Sequence, residues 1–136
     1  MHSDPFQHTI RAAAVDIDEL GHVSNVVYVR WVQEVARAHS EAVGLNHEAY
    51  LRLQSVFVVR RLEIEYLAPC YAEETIVLTT WVESWSGASS VRKTRIARSD
   101  GVQLADASTL WAYVAMASGR PRRIPPEVVA AFAKKT

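Results

Sequence analysis

One short polar segment holds most of the side chains that could do chemistry in this chain. Two carboxylates, an imidazole and an amide fall within ten residues, at Asp16, Asp18, His22 and Asn25. A strongly apolar helical pattern follows, so we expect a loop at a helix N-terminus, where the first backbone N–H groups lack partners within the helix and the helix dipole is positive. Such a loop can hold a developing oxyanion while a carboxylate attacks or activates water. The segment therefore predicts an active site.

The same residues also have a purely structural interpretation. Asp16 and Asp18 could be turn formers, and Asn25 could serve only to cap the helix. Gly21 allows a backbone conformation that a side chain would hinder, which fits either an ordinary turn or the close approach of a ligand. His22 is compatible with a hydrogen-bonding scaffold and with a role in catalysis. The residue types alone leave both interpretations open.

Length and composition predict one globular domain. The 136 residues are 49% apolar and 22% charged, enough for a real core. No apolar run approaches the roughly 18 residues of a membrane span, and the N-terminus does not resemble a signal peptide, so we expect a cytoplasmic protein. The single cysteine, Cys70, can form neither an internal disulfide nor a thiolate metal cluster. A histidine metal site is not expected, because His8, His39 and His47 lack a paired ligand spacing.

Charge is unevenly distributed along a chain whose net charge is zero. Residues 1–90 hold 6 basic and 12 acidic side chains, whereas residues 91–136 hold 9 basic and 3 acidic ones. This basic third is either a solvated face or a binding surface for phosphates. Nucleic acid is not expected as a partner, because the chain lacks a basic stripe interleaved with aromatic residues and has no zinc or helix-turn-helix motif.

The helical segments are predicted from apolar spacing. Apolar residues at intervals of three and four indicate a helix of about five turns, from its cap at Asn25 to its end at Gly44. Its first two turns, which include Val26, are apolar on nearly all sides, so we expect them to be wrapped by other parts of the structure. A short strand is predicted before the loop, over residues 8–15, and a short helix after the long one, over His47–Leu53.

Beyond Gln54 the pattern changes to the two-residue alternation that is typical of strands. Strands are predicted over residues 55–68, 75–85, 90–98 and 102–117, and a terminal helix over residues 127–133. One short strand, a long buried helix and four antiparallel strands imply a curled sheet wrapped around one helix. We therefore predict a single α+β domain of the hotdog fold over residues 1–136.

The motif of the polar segment resembles that of a known family. Asp18-x-x-Gly21-His22-Val23-x-Asn25-x-x-Tyr28 is similar to the signature of hotdog-fold acyl-CoA thioesterases of the 4-hydroxybenzoyl-CoA thioesterase type. The similarity covers nearly the whole chain, with further matches at Trp31, Glu34, Arg37, Tyr66, Pro69, Tyr71, Glu73, Glu74, Ile124 and Pro125. The resemblance implies hydrolysis of an acyl-CoA to a carboxylic acid and free CoA, and it leaves the acyl group open.

The resemblance also implies roles for individual residues. Asp18 takes the place of the essential carboxylate, which either attacks the thioester carbonyl to give a mixed anhydride or deprotonates a water. Asn25 occupies the position whose backbone N–H helps to bind the thioester oxygen, with Gly21 and His22 as further positioning residues. Tyr28 belongs to the same motif, although we expect it to be a core or interface aromatic rather than a catalyst.

Binding of the CoA nucleotide is where the sequence departs from the family. The hairpin over residues 86–89 lacks the basic cluster with which some members bind the phosphates, and Ser24 stands where many relatives have Asn or an aromatic residue. By charge and position we assign the phosphates to four arginines: Arg92, Arg95, Arg120 and Arg122. No cofactor is expected, because CoA is part of the substrate.

The partners follow from the fold and from the resemblance. We expect a homodimer that pairs into a homotetramer, because a single hotdog leaves a long strand edge and one helix flank open. Two rival functions stay open, an acyl-carrier-protein thioesterase and a non-catalytic protein that binds acyl thioesters or only dimerises. A serine hydrolase is not expected, because the chain has no Gly-x-Ser-x-Gly motif. Asp16 is expected to be structural, with hydrogen bonds to loop amides.

Overall fold

An antiparallel sheet curled around a central helix makes up the computed structural model, which describes residues 3–133. The elements in chain order are β1 Phe6–Arg11, a 3-10 turn Ala14–Asp16, α1 Asn25–Ala42, α2 His47–Leu53, β2 Ser55–Tyr66, β3 Thr75–Ser86, β4 Ser89–Arg98, β5 Gln103–Ala115 and α3 Pro126–Ala133. The strand order is β1-β3-β4-β5-β2, and every neighbouring pair is antiparallel. The predicted α+β hotdog architecture is confirmed.

Helix α1 packs against the sheet through its apolar face. Trp31 and Val35 on this face are buried in the main core. The sheet contributes residues from three strands to this core: Ile76, Leu78, Ile96, Leu104, Ala105 and Ala107. The opposite side of α1 is uncovered, because Val26 in its first turn is 73% exposed. The expectation that the first two turns are wrapped on all sides is therefore wrong for the single chain.

A second core closes the other end of the sheet beneath α3. Val128 and Phe132 of this helix are buried against Val82 and Tyr113. Ile124, which precedes the helix, belongs to the same cluster. The terminal helix therefore forms the wall of the molecule that lies away from the start of α1.

Two boundaries before α1 differ from those predicted. The first strand ends at Arg11 rather than residue 15, because Ala14–Asp16 turns away from the sheet in a 3-10 conformation. Helix α1 begins one residue earlier than predicted, because its cap is Ser24 and not Asn25. Ser24 is the N-cap, with extended backbone at φ −60° and ψ 141°, and Asn25 is the first helical residue.

Strand β2 is the longer of the two free edges of the sheet. It hydrogen-bonds to β5 on one side, from the pair Ser55↔Ala115 to the pair Tyr66↔Ala105, and no strand of residues 3–133 lies on its other side. The opposite edge strand, β1, has 6 residues, whereas β2 has 12. An unpaired edge of this length is a ready site for pairing with a second chain.

Candidate active site

Asp16 fixes the loop that leads into α1. Its carboxylate is buried, with Oδ2 accepting from the Ala13 amide at 3.1 Å and Oδ1 accepting from Arg30 Nη2 at 2.9 Å. Its carbonyl oxygen accepts from the Ser24 amide at 2.9 Å. The bond to Ser24 joins the two ends of residues 16–24, called the Asp18 loop below, and the bond to Arg30 attaches this loop to α1. They are the bonds expected of a structural residue.

Asp18 uses only one of its carboxylate oxygens to hold this loop. Oδ1 accepts from the backbone amides of Leu20 at 2.9 Å and of His22 at 3.3 Å. The backbone closes the same turn, because the Asp18 amide donates to the His22 carbonyl at 2.8 Å. Oδ2 has no hydrogen-bond partner anywhere in residues 3–133, and the side chain is half-buried. Asp18 is therefore held in place with one oxygen left for a substrate or a water.

The first amides of α1 are also free. The Ser24 hydroxyl makes no capping hydrogen bond, and the Val27 amide is satisfied by the Ser24 carbonyl at 2.9 Å. Within the described part of the chain, the amides of Asn25 and Val26 donate to no oxygen. Two free N–H groups at the positive end of a helix can hold a negatively charged oxygen. The arrangement offers an oxyanion site at the end of the loop that holds the Asp18 carboxylate.

Gly21 and His22 form the outer part of the Asp18 loop. Gly21 has φ +83°, a conformation that favours glycine, and a Cβ there would meet no protein atom within 4 Å. Its backbone conformation, rather than crowding by the protein, requires the glycine. The His22 ring packs edge-on against Tyr71 at 5.3 Å, and its nitrogens make no hydrogen bond to residues 3–133. The ring stands beside Asp18 without contacting its carboxylate.

Tyr28 lies in the core beneath the loop. It is 2% exposed, and its ring packs edge-on against Tyr66 at 5.1 Å and, in a tilted arrangement, against Trp31 at 5.3 Å. Burial, with a smaller contribution from Cys70, raises the pKa of Tyr28 to about 12, so the phenol stays protonated. The burial confirms the expectation that Tyr28 is a core aromatic, and a role of this motif residue in positioning the substrate stays a prediction.

The four arginines assigned to the CoA phosphates do not lie together. Arg95 points to the outer face of the sheet, where it pairs with Asp106 at 3.4 Å. Arg120 and Arg122 are exposed beyond β5, and Arg122 Nη1 donates to Ser55 Oγ at 2.9 Å. The Arg122 side chain therefore lies at the Ser55 end of β2. The start of α1 lies at the opposite end of the strand, where the Tyr66 hydroxyl donates to the Asn25 carbonyl at 2.9 Å.

Arg92 is buried, which corrects its assignment as a surface ligand for phosphates. It is 5% exposed, and Nη1 donates to His39 Nδ1 at 2.9 Å and to Thr80 Oγ1 at 3.1 Å. Its guanidinium carbon lies 5.5 Å from the centre of the Phe132 ring. Burial and the adjacent Arg92 lower the pKa of His39 to about 4, so His39 is a neutral acceptor. These contacts were not predicted from the sequence, because the residues come from separate elements.

A cavity of about 520 Å³ adjoins Arg92, between α1, α2 and the Ser55 end of β2. Its volume is in the range of small-molecule sites. Its walls are largely apolar, with contributions from Val56, Phe57, Val58, Trp85, Trp111 and Phe132. No cluster of three metal-ligating side chains occurs within residues 3–133, and no helix of that range is long and apolar enough to cross a membrane.

Comparison with known proteins gives the family. The model of the thioesterase-like superfamily matches residues 13–132, which is most of the chain. The acyl-CoA thioester hydrolase YbgC of Escherichia coli O157:H7 is 29% identical over 135 residues, covering 97% of this chain and 98% of that protein. The chain belongs to the thioesterase-like superfamily, as the motif of the Asp18 loop predicted.

Solved structures of thioesterases share the fold. The DHNA-CoA thioesterase of Staphylococcus aureus has a TM-score of 0.86 at 20% identity, over 95% of this chain and 89% of that one. A 4-hydroxybenzoyl-CoA thioesterase with an aspartate-to-asparagine substitution, in complex with 4-hydroxybenzoyl-CoA, has a TM-score of 0.87 at 16% identity, over 94% of this chain and 98% of that one. The hotdog fold and the family together make thioester hydrolysis the reaction class of this chain.

Proposed function

We propose that this protein hydrolyses acyl-CoA thioesters at Asp18, releasing a carboxylic acid and free CoA. The observation that carries the proposal is that Asp18 Oδ2 and the amides of Asn25 and Val26 have no hydrogen-bond partner within residues 3–133, and that the loop holding Asp18 leads directly into these amides. A thioester carbonyl bound with its oxygen on these amides presents its carbon to a carboxylate or to a water that the carboxylate activates. The YbgC protein, similar over its whole length, is an acyl-CoA thioester hydrolase.

The chemical step uses Asp18 and the two amides. The two amides stabilise the negative charge that develops on the thioester oxygen, and preorganised donors of this kind give the largest single effect in many enzymes. Asp18 either attacks the carbonyl carbon, expelling the CoA thiolate and leaving a mixed anhydride that water hydrolyses, or removes a proton from the attacking water. No cofactor enters either route.

We propose that a homodimer forms through β2 and completes the site. In a two-fold antiparallel pair centred near the middle of β2, the Tyr66 end of one strand lies beside the Ser55 end of the other. At about 3.3 Å per residue the strand is roughly 36 Å long, so these ends are far apart within one chain. The pairing brings the Asp18 loop of one chain to the Arg122 side chain and the cavity of the other.

Three finer assignments also remain proposals. The Asp18 loop supports membership of the 4-hydroxybenzoyl-CoA thioesterase branch, although the acyl group is not fixed by it. The homotetramer rests on the same argument from uncovered surface as the dimer, since Val26 and Val15 are both more than 70% exposed. A cytoplasmic location rests on the sequence alone.

The test is a hydrolysis panel with the full chain, using benzoyl-CoA, a short aliphatic and a long aliphatic acyl-CoA. The same acyl groups are offered on phosphopantetheine without the nucleotide. We expect turnover of at least one CoA ester, with a higher kcat/KM than its phosphopantetheine counterpart. Equal values for the two would favour an acyl-carrier-protein thioesterase, and no hydrolysis of any ester would favour a non-catalytic binding protein.

The proposed assembly has its own measurement. Light scattering at micromolar concentration should give at least the mass of a dimer. A stable monomer that hydrolyses acyl-CoA would contradict the shared site while leaving the reaction in place.

A further inference from the structure

The cavity at the Ser55 end of β2 contains a buried cation, Arg92, that pairs with no anion of residues 3–133, although the carboxylate of Glu41 also lines the cavity. Arg92 lines this cavity and is 95% buried, and it takes part in no ion pair within residues 3–133. Both N–H groups of Nη1 are used, one by His39 and one by Thr80. Nε and Nη2 therefore keep three N–H donors without a partner in the described part of the chain.

Two further buried polar atoms lie near Arg92 without partners. Trp111 Nε1, in the wall of the cavity, and Thr109 Oγ1 make no hydrogen bond to residues 3–133. The register of β4 and β5 places Thr109 opposite Arg92 and Trp111 opposite Ser90, so these side chains share one face of the sheet. Unsatisfied buried polar atoms are rare in native proteins and call for an explanation such as a ligand.

The chemistry of these atoms defines the kind of ligand that they can bind. A guanidinium and an indole N–H can only donate, so the ligand must accept hydrogen bonds. A buried charge is costly unless an opposite charge pairs with it, so an anion balances Arg92 better than a neutral acceptor does. The free Nε and Nη2 lie on one side of the guanidinium, the geometry that binds a carboxylate through two parallel hydrogen bonds.

We propose that the cavity binds an acyl group with a carboxylate at its far end, held by Arg92 and Trp111. The substrates are then CoA esters of dicarboxylic acids rather than of simple fatty acids. The apolar residues of the wall, such as Phe57 and Trp85, contact the methylene chain between the carboxylate and the thioester. This inference rests on the proposed thioesterase function and on the homodimer through β2, because the cavity lies far from the Asp18 loop of its own chain and must open toward a thioester held by the other chain.

The experiment compares acyl groups of equal length with and without the terminal carboxylate. Adipoyl-CoA is paired with hexanoyl-CoA and suberoyl-CoA with octanoyl-CoA, and kcat/KM is measured for each. We expect the wild type to prefer at least one dicarboxylic ester by about 10- to 100-fold, the value of a hydrogen bond to a charged group. In Arg92→Met this preference should fall by a similar factor, and in Trp111→Phe, which loses only the N–H, by about threefold to tenfold.

Matched variants separate the cavity from general effects of charge and folding. Lys93→Met removes a cation from the next residue of β4, whose side chain is on the opposite face and donates to Ser108, and should change the preference less than twofold. Arg92→Lys keeps the cation without the planar fork and should retain part of the preference. It also keeps the test decisive if Arg92→Met does not fold.

The outcomes distinguish the two proposals. Hydrolysis of the simple esters with no preference for the dicarboxylic ones, or a preference unchanged in both Arg92 variants and in Trp111→Phe, overturns the carboxylate site but not the thioesterase. No hydrolysis of any of these esters, or of those in the panel above, overturns the proposed function itself.

Discussion

The start of α1 and the cavity beside Arg92 both contain polar groups without hydrogen-bond partners within residues 3–133. The two regions differ in which parts of the chain supply these groups. At the Asp18 loop the free groups are two backbone amides and one carboxylate oxygen, all from one continuous segment near the surface. At the cavity they are side-chain N–H groups, of Arg92 and Trp111, from two neighbouring strands. One loop and one helix end are enough for a reaction that is common to many thioesters. Selection of an acyl group needs side chains that separate elements of the fold bring together.

The substitution Asp18→Asn should have the largest effect, because it removes the charge from the reacting end and leaves the cavity intact. Asn keeps the size of the side chain and an oxygen to accept from Leu20 and His22. We expect kcat to fall by about 10²- to 10⁴-fold, with KM changed far less, and a greater loss if Asp18 is the nucleophile. Steady-state kinetics on the best ester of the panel gives both constants. Full activity of this variant would show that the Asp18 loop is not the active site.

The contrast between the two regions explains how much the sequence could reveal. The loop was recognisable because its residues are contiguous, and the helix was recognisable from its apolar spacing. Arg92 was misassigned because it was judged by charge, although alternation along β4 places it on the same face as the buried Thr94 and Ile96. Its contacts with His39 and Phe132 could not be predicted, since they depend on how α1 and α3 pack on the sheet.

Charge reversal at Arg122 should have a smaller effect, on binding rather than on turnover. If the Ser55 end of one chain receives the CoA of the other chain's site, Arg122→Glu should raise KM by about threefold to tenfold with little change in kcat, and should weaken the dependence of KM on salt. Arg95→Glu is the matched control, because Arg95 lies on the outer face of the sheet. Equal changes of KM in the two variants would mean that this end of β2 does not bind the phosphates.

Removal of the Asp16 charge should act on stability more than on rate. Asp16→Asn loses the ion pair with Arg30, which is half exposed and can be rehydrated, so we expect the free energy of unfolding to fall by about 1–2 kcal/mol. The kcat of the folded protein should fall less than tenfold. Urea denaturation and kinetics on the same samples measure both quantities. A loss of kcat as large as that in Asp18→Asn, with unchanged stability, would reverse the roles of the two carboxylates.

The smallest effect concerns His39, the hydrogen-bond partner of Arg92, and appears as a dependence of stability on pH. The pKa of His39 is lowered to about 4 by burial and by Arg92, against an ordinary value of 6.5. Between these two pH values the unfolded chain binds a proton at His39 that the folded chain does not, so the free energy of unfolding should fall as the pH drops from 6.5 to 4. In His39→Gln, whose side-chain oxygen can still accept from Arg92, this part of the slope should be missing. Equal slopes for wild type and variant in urea denaturation across this range would show that His39 is not held neutral.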